Sequence, residues 1–187
     1  DHRSIVDGYA LLDELAALGG QDPLEIRRGL LAEQPRHLAV LNAVAKMAKW
    51  QSKPPAGRAR GIALHASFGS IAAQVAEVSV SDGQVRVHRV WCAIDCGFAV
   101  NPDGVVAQME SGIIYGLSAA LTGEITIESG RPIQGNFDTY PIVRINETPT
   151  IEVQIVASDG RMGGVGEPGT PPIAPAVCNA IFAATGQ

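Results

Sequence analysis

The sequence has few charged and few aromatic residues. Of its 187 residues 18% are charged and 5% aromatic, and the formal net charge is -5. Lys and Arg do not cluster outside the segment from Lys46 to Arg60, so the phosphates of a nucleic acid would meet little positive charge. The composition therefore predicts no nucleic-acid partner.

Long apolar runs are also missing, because Gly, Pro or a charged residue interrupts each one before the roughly 20 residues that a bilayer span requires. We expect no membrane insertion by this segment. With 46% hydrophobic residues, the chain can still bury a sizeable core. It begins at Asp1 inside a helical pattern, and we expect a piece of a longer protein. The compartment, bacterial cytoplasm or periplasm, stays open.

Cysteine and histidine are few and scattered. Cys92, Cys96 and Cys178 contain no Cys-x-x-Cys pair, which argues against an iron–sulfur or structural zinc site in this segment and favours buried free thiols. No His-x-x-His spacing occurs among the four histidines, His2, His37, His65 and His88. The sequence therefore predicts no metal ion held directly by side chains.

Helical periodicity dominates the first 50 residues. Ser4 and Asp7 resemble a capping box at the start of a first helix. Asp22 as N-cap, followed by Pro23, predicts a second helix, and an apolar stripe predicts a third over 35–50. We interpret these helices as an appendage to a core supplied elsewhere.

Three regions follow from these patterns. Residues 1–50 form a small helical subdomain, the Pro- and Gly-containing residues 51–60 a linker, and residues 61–187 an α+β segment. Alternation of apolar and polar residues predicts strands over 61–68, 71–80, 84–95, 124–128 and 150–157. The fold class is therefore α+β, a mixed β-sheet with packed helices preceded by the helical subdomain.

The turn Ser81-Asp82-Gly83 predicts a hairpin between the second and third strands. Asn101 as N-cap and Pro102 at the first position open a long helix, and a closing helix is expected after Pro175. Three glycines recur along the long helix at four- or eight-residue spacing, Gly104, Gly112 and Gly116. Such a shared face predicts close approach of another backbone or a ligand.

Glu167 is the first catalytic candidate, because the glycines and prolines around it fix the backbone and allow close approach to another group. It is either a general base in a water-poor pocket or a solvated turn carboxylate in a non-catalytic binding or assembly module. A third interpretation makes residues 164–169 a Gly-x-Gly-x-x-Gly dinucleotide site. Pro168, Pro171 and Pro172 count against it, since proline has no N–H for a pyrophosphate.

Four blocks of sequence occur in a fixed order over nearly the whole chain. They are Asp22–Arg27, then Asp95–Gly97 with Asn101-Pro102 and Gln108–Gly112, then Asn136–Tyr140, and finally Gly163–Val177 with Asn179–Gly186. Together they resemble the C-terminal part of the molybdopterin-binding large subunits of the xanthine oxidase/aldehyde oxidase family. The resemblance is strongest to the isoquinoline 1-oxidoreductase beta subunit group.

The resemblance implies roles for individual residues. Glu167 becomes the active-site glutamate, the base that takes a proton from the water-derived oxygen. Val165 and Gly166 would bring backbone beside the ligands of the metal. Gln108 occupies a position that holds the pterin, and its amide offers both donors and an acceptor, although it could equally be an exposed helix residue.

Gly69 and Ser70 are further candidates for cofactor contact. They form a turn before a strand, and a simple hairpin turn explains them as well. Sequence alone leaves both possibilities open.

The resemblance also implies cofactors and partners. The intact enzyme would carry molybdenum–molybdopterin in its cytosine dinucleotide form, with iron–sulfur clusters on a small partner subunit or domain. Its substrate would be a small N-heteroaromatic compound or an aldehyde, hydroxylated with water-derived oxygen. Because the upstream part of the large subunit supplies most pterin contacts, the isolated segment is expected to be inactive.

Overall fold

The computed structural model describes residues 11–186, so the predicted capping box of Ser4 and Asp7 lies outside the described residues. The helices are α1 (residues 11–18), α2 (Pro23–Leu30), α3 (Pro35–Met47), α4 (Pro102–Leu121) and α5 (Ile173–Thr185). The strands are β1 (Ala59–Ser67), β2 (Ser70–Ser81), β3 (Gln84–Asp95), β4 (Ile127–Glu128), β5 (Arg131–Pro132) and β6 (Thr150–Ile155). Within the described range, none of the helices has the length and apolar content that a bilayer crossing requires.

The main sheet has four strands in the order β1-β2-β3-β6. The first three form antiparallel hairpins, while β6 pairs with β3 in parallel after the chain has crossed over through α4. Both hairpins have two-residue turns with positive φ at each position, Phe68-Gly69 (54° and 79°) and Asp82-Gly83 (50° and 74°), which suits the twist of the strands. The predicted mixed sheet and the hairpin at residues 81–83 are confirmed.

Helices cover both faces of the sheet. One face packs against α2 and α3 through a buried cluster that includes Leu24, Val40, Leu41, Val44, Ile62, Leu64 and Trp91. The other face packs against α4 and α5 through Val90, Cys92, Ile94, Met109, Ile113, Leu117, Ile173 and Ala176. Neighbouring residues of a strand point to opposite faces, which is why β3 is apolar throughout its second half. The fold therefore has three layers, and the apolar sides of α2 and α3 are buried against the sheet.

Helix starts agree with the sequence patterns. The Asp22 side chain accepts hydrogen bonds from the backbone N–H groups of Leu24 and Glu25 at the start of α2. Asn101 does the same for Gly104 at the start of α4. The closing helix begins at Ile173, two residues before the predicted Pro175, because proline is tolerated in a first turn, where the N–H has no intrahelical acceptor.

Two expectations about local structure are corrected. The strand predicted over 124–128 contains only Ile127–Glu128, which pairs with Arg131–Pro132 and stays apart from the main sheet. Cys92 and Cys96 are buried as expected, but Cys178 is exposed, since it lies on the outward side of α5.

Strand β1 begins at Ala59, inside the segment predicted as the linker. The division at residues 1–50, 51–60 and 61–187 stays a prediction.

Candidate functional site

The candidate site lies at one end of the main sheet, called here the loop end, where β1, β3 and β6 finish and β2 begins. The opposite end, which carries the Asp82-Gly83 turn, is called the hairpin end. From β6 the chain runs along the loop end into residues 163–169, called here the site loop. This loop contains Val165, Gly166 and Glu167.

Backbone contacts fix the start of the site loop. The N–H of Gly163 donates to the carbonyl of Cys96 (3.0 Å) and that of Gly164 to the carbonyl of Phe68 (2.8 Å). The Ser70 hydroxyl donates to the Gly164 carbonyl at 2.8 Å. A Cβ on Gly163 would lie 2.3 Å from this hydroxyl oxygen, so only glycine fits here. The turn containing Gly69 and Ser70 is therefore in direct contact with the site loop.

A second set of contacts fixes the end of the site loop. The Gln74 amide, fully buried in β2, donates to the carbonyl of Gly169 at 2.8 Å. The Thr170 hydroxyl donates to the carbonyl of Gly112 in α4 at 3.2 Å. A Cβ on Gly169 would lie 2.9 Å from the Met109 carbonyl oxygen. The loop is thus held at both ends, on β2 and on α4.

Two glycines of α4 make this close packing possible. A Cβ on Gly112 would lie 3.4 Å from the Thr170 backbone nitrogen, and one on Gly116 would lie 3.0 Å from the Thr170 carbonyl oxygen. The predicted close approach of another backbone is confirmed for both. No other backbone approaches Gly104, whose added Cβ would meet only the Asn101 side chain, at 3.4 Å, and the alternative of a ligand beside it stays a prediction.

A cleft of about 350 Å³ opens between α4 and the start of the site loop. Gln108 and Val165 line it together, along with apolar residues and glycines that include Phe98, Val100, Gly104, Met162 and Gly163. None of the lining residues carries a charge. The Gln108 side chain is exposed, so its amide is free to bind a ligand in the cleft.

The two residues after Val165 project away from the protein. Around Gly166, an added Cβ would find no atom within 4 Å. Glu167 is exposed, and its carboxylate makes no hydrogen bond or ion pair with any residue in the range 11–186. The water-poor pocket expected around Glu167 is not formed by the described residues themselves.

The donors at the site suit a neutral heterocyclic ligand. Within the described part of the chain, no acceptor pairs with the backbone N–H groups of Val165 and Gly166, and the Gln108 amide adds two donors and an acceptor. Residues 11–186 contain no group of three or more His, Cys, Asp or Glu that could hold a metal ion. The amides that are present match the donors and acceptors of a pterin edge.

The dinucleotide interpretation of residues 164–169 has little support in this geometry. Gly169 is buried against Met109 and leaves no room for a pyrophosphate. The Thr170 N–H is bonded to the Glu167 carbonyl, and Pro171, Pro172 and Pro175 have no N–H. The segment that leads into α5 therefore offers fewer free amides than this motif requires.

Sequence reasoning missed the buried polar residues behind the loop. Asp95 is the last residue of β3, and burial alone would raise the pKa of its carboxyl. Hydrogen bonds from Arg36, Ser158 and Gly97 outweigh this effect and lower the pKa to about 2. For Gln74 a signal existed, a lone amide between apolar residues of a buried strand. No sequence spacing brings Arg36 to Asp95.

Comparisons with known proteins show which family the chain resembles. A family model described as molybdopterin cofactor-binding domain matches residues 31–149, which include Gln108 but end before the site loop. The isoquinoline 1-oxidoreductase subunit beta of Brevundimonas diminuta is 39% identical over 95% of the chain and 23% of its own length. A membrane-bound aldehyde dehydrogenase of Gluconacetobacter polyoxogenes, whose name specifies pyrroloquinoline quinone, is 32% identical over 98% of the chain and 27% of its own length.

Among solved structures, quinoline 2-oxidoreductase from Pseudomonas putida 86 superposes with a TM-score of 0.59. The two are 22% identical, and the match covers 63% of the chain and 16% of that structure, so the likeness concerns the fold. The chain spans about a quarter of the length of the curated relatives described above.

Proposed function

The chain belongs to the molybdopterin cofactor-binding domain family, and on this premise we propose that it is the C-terminal part of a molybdenum hydroxylase large subunit. The intact enzyme would hydroxylate an N-heteroaromatic compound or an aldehyde with oxygen derived from water. The names of relatives support both substrate classes, since one acts on isoquinoline and another on aldehydes.

One observation carries the proposal: the site loop is held at both ends while its centre stays free. Hydrogen bonds to Ser70 and Gln74 fix the two ends. Between them, a Cβ added to Gly166 would meet no atom within 4 Å, and the Glu167 carboxylate has no hydrogen bond or ion pair within residues 11–186. A rigid loop with an unpartnered carboxylate at its centre is suited to present that carboxylate to a bound ligand.

Each residue of the site has a distinct role in this proposal. Glu167 accepts the proton from the water that supplies the oxygen, as a general base. The N–H groups of Val165 and Gly166 donate hydrogen bonds to the cofactor, and Gln108 binds the pterin edge with its amide. Gly69 and Ser70 lie beneath the loop and complete this side of the cofactor site.

When bound, a molybdenum–molybdopterin group in its cytosine dinucleotide form would supply a two-electron acceptor for the substrate carbon, held by Gln108 and by the N–H groups of Val165 and Gly166. The partner would be a small subunit or domain with iron–sulfur clusters. The upstream part of the large subunit covers Glu167 and excludes water from it, because the described residues leave this side chain open. We therefore propose that the segment alone has no activity.

Substitution of Glu167 by Gln in the complete enzyme tests the proposal. Loss of a general base lowers kcat by about 10²- to 10⁴-fold, while the molybdenum content stays unchanged, because the amide keeps the shape of the carboxylate. Steady-state turnover and metal analysis are the measurements. Glu124→Gln is the matched control, since Glu124 is also exposed but lies outside the site.

Unchanged turnover in the Glu167→Gln enzyme would contradict the catalytic role. It would favour a second candidate, a non-catalytic binding or assembly module, which the exposure of Glu167 also supports. In that case the variant would lower the yield of correctly assembled enzyme and leave the turnover of the assembled enzyme intact.

A further inference from the structure

One buried carboxylate behind the site receives four hydrogen bonds. Asp95 is 1% exposed. Arg36 of α3 donates to it through Nε (2.8 Å) and Nη2 (2.9 Å). The Gly97 N–H donates at 2.9 Å and the Ser158 hydroxyl at 2.7 Å. A single side chain therefore joins α3, the turn after β3 and the segment that follows β6.

The same groups restrict the position of residues 158–161, the segment that follows β6. The Ser158 hydroxyl also accepts from the N–H of Gly160 at 3.2 Å. A Cβ on Gly160 would lie 2.6 Å from Cζ of Arg36, and one on Gly97 would lie 2.5 Å from the carbonyl oxygen of Arg161. The guanidinium and the turn thus enclose residues 158–161 from two sides.

This segment leads directly into the site loop. Two residues after Arg161, the N–H of Gly163 is bonded to the carbonyl of Cys96, next to Asp95 in sequence. Any displacement of residues 158–161 would be passed on to Gly163 and Gly164. Neither Arg36 nor Asp95 lines the cleft, so their influence on the site must act through the backbone.

We propose that the Arg36–Asp95 pair is a positioning device, which sets the place of the site loop and hence of Glu167. The proposal rests on the function proposed above for that loop. A bidentate pair of guanidinium and carboxylate fixes both distance and orientation, which suits a joint between segments that are far apart in sequence. Helix α3 thereby controls the geometry of a site whose cleft none of its residues lines.

The test compares Arg36→Lys with the wild type in the complete enzyme. Lysine keeps the charge but cannot form the bidentate contact. We expect faster hydrogen exchange at the N–H groups of Gly163 and Gly164. We also expect kcat to fall about 10- to 100-fold, the size of effect produced by a misplacement of about 1 Å, with KM and molybdenum content retained. Ser158→Ala, a milder change, should show the same pattern to a smaller extent.

Glu77→Gln is the matched control. Glu77 is 2% exposed and accepts from the guanidinium groups of Arg58 (2.9 Å) and Arg60 (3.0 Å), but it lies toward the hairpin end. This variant should lower the Tm without changing hydrogen exchange at Gly163 and Gly164. A purely structural role of Arg36 would make the two variants behave alike, and this result would overturn the proposal.

A double variant separates this proposal from the proposed function. If Arg36 acts by placing Glu167, then Arg36→Lys has little further effect on kcat once Glu167 is Gln. An equal loss of kcat in both backgrounds shows that the pair does not act through Glu167. Unchanged exchange at Gly163 and Gly164 refutes positioning whatever the kinetics show, and the exchange result stands even if Glu167→Gln leaves turnover unaffected.

Discussion

The two ends of the main sheet each contain a buried carboxylate bonded to arginine, but the partners come from different places. Toward the hairpin end, Glu77 in β2 binds Arg58 and Arg60, which lie on the neighbouring strand or just before it. At the loop end, Asp95 binds Arg36 and Ser158, which lie 59 and 63 positions away in the sequence. Toward the hairpin end, the arginine–carboxylate contacts join neighbouring strands. At the loop end, the same type of contact joins segments that are far apart in the sequence.

This difference suggests that the hairpin half of the sheet mainly stabilises the fold, whereas the loop end also sets the geometry of the site. The hairpin half of the sheet is held by neighbouring strands and by α5, and its variants should change stability alone. The loop end is held by contacts from α3, α4 and both hairpins, and its variants should change the site as well. The following three substitutions test this division.

The largest change in stability is expected for Gly61→Ala in the hairpin half. A Cβ on Gly61 would lie 2.2 Å from the Ala180 backbone nitrogen and 2.3 Å from the Ala176 carbonyl oxygen of α5. Because backbone atoms cannot move aside as side chains do, we expect a loss of about 3 kcal/mol in the free energy of unfolding. Chemical denaturation measures this, and Gly29→Ala in α2 is the control, since its added Cβ meets nothing within 4 Å.

A smaller effect is expected for Asp95 in acid. Its pKa is lowered to about 2, so the ionised form contributes stability that is fully present above the ordinary pKa near 4 and is lost as pH falls toward 2. The contribution is roughly 2 kcal/mol. Urea denaturation between pH 5 and 2 should show this loss in the wild type. Asp95→Asn should be less stable at pH 5 and have a flatter pH profile, whereas equal slopes would contradict the assignment.

The smallest change in stability is expected for Gly166→Ala at the centre of the site loop. Its added Cβ meets no atom within 4 Å, and its φ is not left-handed, so the free energy of unfolding should stay within about 0.5 kcal/mol. If the cofactor lies against this backbone, the methyl group should still reduce the molybdenum content of the complete enzyme. Full metal content would show that the cofactor does not contact Gly166.

Much of the fold could be predicted from the sequence because its signals are local. The Asp82-Gly83 turn, the caps at Asp22 and Asn101 and the alternation along β2 and β3 depend only on neighbouring residues. The predictions fail where the structure of a segment depends on residues that are far away in the sequence. Residues 124–128 have a strand-like pattern, but no strand of the main sheet lies beside them to pair with.

The candidate site was predicted unevenly for the same reason. Gly69, Ser70, Gln108 and Val165 do come together at the loop end, and the glycine-rich loop with Glu167 was visible as a motif. The residues that support the loop could not be predicted. Nothing in the sequence near Arg36 or Gln74 indicates partners that lie 59 and 95 positions away. Motifs identify candidate groups for ligand contact, whereas the contacts that support them can be found only in the folded structure.

The parallel pairing of β6 with β3 has a consequence for how the protein is assembled. The two hairpins can form early, because their strands are adjacent in the sequence. Strand β6 can pair with β3 only after α4 and the long segment that follows α4 have folded. Pairings between distant residues are slow to form. We therefore expect the pairing of β6 with β3 to form last, which would leave the candidate site open to a bulky ligand while the rest of the sheet is already folded.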